Sequence, residues 1–352
     1  MIATTDQPPA KDATATLMHA EAAEAGAAVA RLLDANRVTL AALGERLRAA
    51  PPAVVVTCAR GSSDHAATYG KYLIETFVGV PVASAAPSVA SVYAADVAPS
   101  GGLCIAISQS GRSPDLLASV AAQKAAGAHV VALVNDTTSP LAEAADTLVP
   151  LMAGPERSVA ATKSYIAALA ALALLTAEWS QDAALTDALD RLPERLGAAW
   201  ALDWSGVVAL LRDASNLFVI GRGLGFGIAQ EAALKLKETC ALHAEAFSSA
   251  EVRHGPMAIV DAGFPLIAFA TSDQAGDGVR EAAAEFAQRD ARVALADAAQ
   301  DGAGSPAALR DHPALEPVLM IQSFYRMANA LSVARGLDPD SPRHLSKVTK
   351  TL

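Results

Sequence analysis

The sequence predicts an α/β protein of two tandem, doubly wound parallel-sheet domains, with flanking N-terminal helices and a C-terminal tail. Three observations carry that expectation. Short β-branched or apolar runs alternate with Ala/Leu-rich helical stretches, the pattern of parallel strands covered on both faces. The order recurs, since a strand, a Gly-containing turn and a helix follow one another from residue 53 and again from residue 217. Several strands also end abruptly in Gly or Ser turns, and ligands of doubly wound sheets bind at such carboxyl ends.

The elements follow in order. Residues 1–17 are rich in Thr, Ala and Pro and read as a frayed N-terminus. Apolar residues at helical spacing over 18–49 predict one or two helices. The first domain, 18–190, then shows strands at 53–58, 81–84, 103–108, 129–135 and 147–151. Helices are expected over 64–78, from 114 to 126 and briefly after Ser139. A helical link covers 183–204. The second domain, 191–335, has strands at 217–221, 265–270 and 292–296, with helices over 226–243 and 278–289. Residues 336–352 form the tail.

At 352 residues the chain accommodates two cores of ordinary size. It is 52% hydrophobic and 18% charged, a globular composition. A net charge of −10 with no Lys/Arg run argues against a nucleic-acid partner. Cys58, Cys104 and Cys240 are widely spaced in or beside apolar runs, which suits buried thiols in a reducing cytoplasm and no metal site. The first residues lack the basic and apolar regions of a signal peptide, and the most apolar stretch, 166–179, is too short to span a bilayer. A cytoplasmic protein with no membrane partner is expected.

The run Leu103-Cys-Ile-Ala-Ile-Ser-Gln-Ser-Gly-Arg-Ser113 is the most informative. A buried strand ends in three serines and a glycine, and Pro114 opens a helix. Unpaired backbone N–H groups, a helix dipole and neutral hydroxyl donors make a seat for a phosphate monoester. Helix capping by Ser113 accounts for one serine, not three. The corresponding Thr271-Ser272-Asp273 turn of the second half carries a carboxylate that would repel phosphate. Gly221-Arg-Gly-Leu-Gly225 lacks the full spacing and the acidic residue of a dinucleotide fingerprint, so no nicotinamide, and no other cofactor, is expected.

Seven motifs in order make the chain recognisable: Arg60-Gly-Ser-Ser-Asp-His-Ala66, Ser108-Gln-Ser-Gly111, Val159-Ala-Ala-Thr-Lys163, Ala233-Leu-Lys-Leu-Lys-Glu238, His243-Ala-Glu245, Glu251-Val-Arg-His-Gly-Pro256 and Asp340-Ser-Pro-Arg-His-Leu-Ser-Lys347. The chain resembles the sugar isomerase (SIS) family, within it the isomerase half of glucosamine-6-phosphate synthase and the stand-alone type II glucosamine-6-phosphate deaminases. The resemblance implies flavodoxin-like domains. It places Ser108, Gln109, Ser110 and Ser113 on the sugar phosphate and Gly61, Ser62 and Ser63 along the sugar. Val159 and Ala161 fall at a sugar contact. Glu238 falls on the residue that shuttles a proton between C1 and C2, and Lys235 and Lys347 on active-site lysines. His254 matches a histidine associated with ring opening, contributed across a homodimer interface. Arg60 stands where relatives often carry cysteine, and Ala161 where the synthase has serine; both leave the exact sugar open. His65 reads as structural, and His243 and Glu245 as packing or orienting groups.

The synthase's glutaminase nucleophile follows Met1, whereas here residue 2 is Ile2. The reaction expected is therefore hydrolytic: glucosamine 6-phosphate and water to fructose 6-phosphate and ammonia. Alternatives are action on galactosamine 6-phosphate or fructosamine 6-phosphate, and a transaminase-like protein lacking glutaminase. A phosphosugar sensor is the non-enzymatic alternative, though such regulators pair one domain with a DNA-binding helix-turn-helix.

Overall fold

The computed structural model describes residues 12–98 and 101–347. The first domain holds β1 (Val55–Cys58), β2 (Val82–Ser84), β3 (Leu103–Ser108), β4 (His129–Val134) and β5 (Thr147–Pro150), in the order β2-β1-β3-β4-β5. The second holds β6 (Asn216–Gly221), β7 (His243–Ser248), β8 (Pro265–Ala270) and β9 (Arg292–Asp297), in the order β7-β6-β8-β9. Every pairing is parallel. The first order is flavodoxin-like and reverses direction between β1 and β3, which opens a crevice at their carboxyl ends. All six residues of β3 and of β8 are buried, as central strands of sheets covered on both faces must be.

The helices are α1 (Leu17–Ala23), α2 (Ala25–Ala49), α3 (Ser62–Phe77), α4 (Pro87–Ser91), α5 (Pro114–Ala125), α6 (Pro140–Ala144), α7 (Lys163–Ser180), α8 (Ala183–Ala201), α9 (Ser205–Leu211), α10 (Phe226–Cys240), α11 (Gln274–Ala287) and α12 (Glu316–Ala334). α7 is apolar on all sides because all but two of its residues are buried, packed among α2, α3 and α8. Gly44 lets α2 approach, since a Cβ there would lie 2.8 Å from the Glu178 backbone. Among the described residues no helix is long and apolar enough to cross a membrane. The two domains meet where α3 packs on α10. A Cβ at Gly227 would lie 2.7 Å from the His65 carbonyl oxygen, so glycine sets this close contact.

Three expectations change. Residues 1–11 lie outside the described residues, but the stretch from Asp12 to 17 is not frayed. Asp12 accepts from Thr14 N–H at the start of a 3-10 turn, and buried Thr16 donates to Asn329 at 2.6 Å. The helix expected to run through His243 stops at Cys240, and His243–Ser248 is instead the edge strand β7. α12, buried along most of its length, was not anticipated. The three cysteines are buried and free, with the Cys58 and Cys104 sulfurs 3.8 Å apart.

Candidate active site

The crevice between β1 and β3 opens into a cleft of about 360 Å³. Its wall takes Arg60 and Gly61 from the turn after β1, Ser62 and Ser63 from the first turn of α3, and Ser108, Gln109, Ser110 and Ser113 from the end of β3 and the turn after it. Val159 and Ala161 come from the loop before α7, Lys235 and Glu238 from α10, and Lys347 from the tail. Every residue placed at the site from sequence lines this cleft except His254.

The β3–α5 turn is shaped around Gly111. Its φ is +64°, and a Cβ there would lie 2.2 Å from Ser139 Oγ. The Gly111 N–H donates to Ser108 Oγ at 2.9 Å, closing the turn. Ser113 occupies the backbone N-cap position of α5, with Pro114 following, but its hydroxyl makes no capping hydrogen bond. The side-chain capping expected of Ser113 is thus absent, and that hydroxyl stays on the cleft wall beside the positive end of α5. Arg112 turns away and pairs with Asp136 at 2.8 Å.

Arg60 is held by the same helix. Asp115, in the first turn of α5, is buried and accepts from Arg60 Nε at 2.9 Å and Nη2 at 2.8 Å. A half-exposed guanidinium is thereby fixed in the cleft.

Two buried carboxylates build the loop that carries Val159 and Ala161. Glu21 of α1 accepts from Ser158 N–H at 3.1 Å and Oγ at 2.6 Å. Glu156 accepts from Thr162 N–H at 3.0 Å and Ser164 Oγ at 2.6 Å. The tail is pinned to this loop: Lys347 Nζ donates to the Ser158 carbonyl at 2.8 Å and stands 3.5 Å from Glu156. Further up the tail, the Asp340 carboxylate accepts from Leu17 and Met18 N–H at 2.9 and 2.8 Å, joining the tail to the start of α1.

Across the cleft from the β3–α5 turn, α10 presents Glu231, Lys235 and Glu238, one above another at spacings of four and three. Lys235 is buried, touches the Glu238 carboxylate, and lies 3.5 Å from Glu231 Oε1. Glu231 is fully buried and also meets His65 Nδ1 and the Tyr325 hydroxyl, each at 3.0 Å. Burial pushes the Glu231 carboxyl up, but the Lys235 charge and the His65 and Tyr325 hydrogen bonds outweigh it and hold it below its ordinary value. For Lys235 burial pushes down, and the two carboxylates more than reverse this, leaving the ammonium firmly charged. Lys235 and Glu238 both line the cleft, and Glu238 is the more open of the two, with 22% of its side chain exposed against 1% for Lys235. The sequence reading missed Glu231, although its spacing of four from Lys235 was visible.

His254 is exposed, on a loop between two 3-10 turns, and does not line the cleft of its own chain. His243 and Glu245 are exposed on β7, away from the cleft, so packing does not hold them there. Among the described residues no cluster of His, Cys, Asp or Glu could hold a metal ion.

Residues 53–177 and 210–309 match the SIS domain model. The chain belongs to the SIS family. It is 34% identical over 333 residues to the glutamine–fructose-6-phosphate aminotransferase (isomerizing) of Symbiobacterium thermophilum, which covers 88% of this chain and 54% of that protein. The chain thus spans about half the length of the curated relatives it matches. Among solved structures, a protein from Silicibacter pomeroyi DSS-3 proposed to be a phosphosugar isomerase is 44% identical, with a TM-score of 0.86 over 92% of this chain and all of that one. The C-terminal domain of glucosamine-fructose-6-phosphate aminotransferase from Francisella tularensis is 26% identical, with a TM-score of 0.82 over 97% of this chain and all of that domain. This SIS chain is therefore related to the isomerase portion of those aminotransferases.

Proposed function

We propose that the protein is an amino-sugar-phosphate deaminase and isomerase that converts glucosamine 6-phosphate and water into fructose 6-phosphate and ammonia. The observation that carries this reading is the cleft itself, which faces an open hydroxyl-lined helix N-terminus with a buried ammonium–carboxylate pair. Ser108, Gln109, Ser110 and Ser113 hold the phosphate, with the Arg60 guanidinium beside them. Gly61, Ser62, Ser63, Val159 and Ala161 line the sugar. In the open-chain aldehyde, Glu238 takes the C2 proton and returns it to C1, while O1 gains a proton and the nitrogen loses one, which yields the 2-imino sugar. Lys235 and Lys347 stabilise negative charge at O1 during the transfer. Water then adds at C2, and the C2–N bond breaks with proton transfer to nitrogen, releasing ammonia.

The names of the relatives support an isomerising active site on a hexose phosphate. The hydrolytic direction needs only the sugar, water and the residues of the cleft. Arg60 and Ala161 favour a second reading, a neighbouring substrate such as galactosamine 6-phosphate or fructosamine 6-phosphate. Ammonia release across a panel of hexosamine phosphates decides between them. Release from glucosamine 6-phosphate is expected, and release from none of the panel overturns the proposal.

His254, exposed and outside its own cleft, opens the sugar ring from a second copy of the chain in a homodimer. Mixed dimers of Glu238→Gln and His254→Asn chains then regain activity that neither parent shows. Full activity in a monomer contradicts this arrangement.

A further inference from the structure

Glu231 and Glu238 compete for one ammonium. Both carboxylates lie within reach of Lys235 Nζ, yet the ammonium touches Glu238 and stands 3.5 Å from Glu231. Glu231 is the more deeply buried of the two, and a buried carboxylate draws the nearest cation strongly unless its oxygens are otherwise satisfied. They are: Oε1 accepts from the Tyr325 hydroxyl and Oε2 faces His65 Nδ1, each at 3.0 Å. An ionised carboxylate only accepts hydrogen bonds, so Nδ1 carries the proton at this contact.

We propose that His65 is a positioning residue that acts through Glu231 to keep Lys235 on Glu238. The proposal rests on the reading of Lys235 and Glu238 as the proton-transfer pair. His65 sits at the start of α3, directly after the turn that lines the sugar, and Glu231 belongs to the second domain. The hydrogen bond therefore crosses the contact where Gly227 brings α10 against the His65 backbone, and it registers the sugar-lining turn of one domain with the reacting pair of the other. The groups facing this cluster are Glu231 and Lys235 on α10, Tyr325 on α12, Tyr165 on α7, and Asp64 beside His65 on α3 with Arg60 next to it. Glu231 and Glu238 contribute two negative charges to Lys235's one, so the His65 donor decides which carboxylate the ammonium serves.

Removing that donor leaves Oε2 buried and unpaired. Lys235 is the cation at hand to cover it and shifts toward Glu231. A carboxylate that loses a neighbouring ammonium is harder to ionise, so the acid limb of kcat moves to higher pH. The experiment compares wild type, His65→Leu and His65→Asn on whichever sugar phosphate the wild type turns over. Leu removes the donor, while the Asn amide occupies the place of Nδ1 and keeps it. His65→Leu is expected to lower kcat about tenfold and to raise the acid limb by about one pH unit. KM stays within about threefold of wild type for both variants, and His65→Asn keeps the wild-type limb. An unmoved limb and kcat in His65→Leu overturn the proposal, as does a His65→Asn enzyme as impaired as His65→Leu.

A second measurement covers failure of His65→Leu to fold. The Nδ1–H proton resonance of His65, followed by NMR, is compared in wild type and Glu231→Gln. A hydrogen bond to a carboxylate is stronger than one to a neutral amide, so the resonance moves upfield in Glu231→Gln; an unchanged resonance contradicts the link. If the wild type turns over no sugar phosphate, the proposed function fails, while this comparison still decides the link by itself.

Discussion

The two sheets place a turn and a helix N-terminus at the same point, after β3 in the first domain and after β8 in the second, and the two are finished differently. After β3, Ser108 closes the turn through Gly111 N–H, while Ser113 caps nothing with its hydroxyl and remains on the cleft wall with Gln109 and Ser110. After β8 the turn satisfies itself. Asp273 accepts from Gly276 N–H at 3.3 Å and caps α11, and Thr271 donates to the same carboxylate at 2.6 Å. Glu316 accepts from Ser272 N–H at 2.7 Å, and Arg280 donates to the Thr271 carbonyl at 3.0 Å. A Cβ at Gly276 would lie 1.8 Å from the Thr271 carbonyl oxygen, so no side chain fits there. One copy leaves the Ser113 hydroxyl unused by its helix, and the other has spent its turn on its own helix. The second copy contributes instead through α10, whose inner face carries Glu231, Lys235 and Glu238.

The division of labour proposed for the two copies can be broken from either side. The largest effect is expected in the second copy: Glu238→Gln lowers kcat by about 10²–10⁴-fold in steady-state assays, the scale of a lost general base. Next is the frame of the open turn. Gly111→Ala puts a side chain at positive φ against Ser139 and costs about 3 kcal/mol in denaturant unfolding, with loss of substrate binding. Removing one open hydroxyl is milder. Ser113→Ala raises KM about tenfold with kcat nearly unchanged, because a hydrogen bond to a charged group is lost without disturbing a cap. The smallest effect sharpens the contrast: Asp273→Ala costs about 1 kcal/mol of stability as a lost cap and leaves kcat and KM as they were. A kinetic defect in Asp273→Ala would show that the second turn also serves the substrate.

Much of this was legible in the sequence, and the exceptions have physical causes. The strand ends and Gly/Ser turns announced themselves because a continuous apolar run followed by glycine has few other solutions. β7 was concealed because Ala241 ends α10 in the left-handed conformation, at φ +50°, where a glycine would have signalled the stop. Its alternation of exposed His243, buried Ala244 and exposed Glu245 is too short to stand out beside a strong helical pattern. α12 is buried on nearly every side, so no amphipathic period marked it, although Pro317 at its start and Gly336 just past its end were punctuation the sequence offered. At the site, motif residues could be placed one at a time, but the pairings that orient them join distant parts of the chain. Asp115 holding Arg60, and His65 meeting Glu231 across the domain contact, are products of packing that local spacing does not encode.

The contrast between the copies rests most directly on separating binding from reaction in one variant. Calorimetric titration of glucosamine 6-phosphate into Glu238→Gln, alongside ammonia release from the same preparation, makes that separation. The predicted result is a dissociation constant close to that of the wild type under conditions where turnover is lost. Loss of binding together with turnover, or undiminished ammonia release, would contradict the assignment of phosphate anchoring to the first copy and proton transfer to the second.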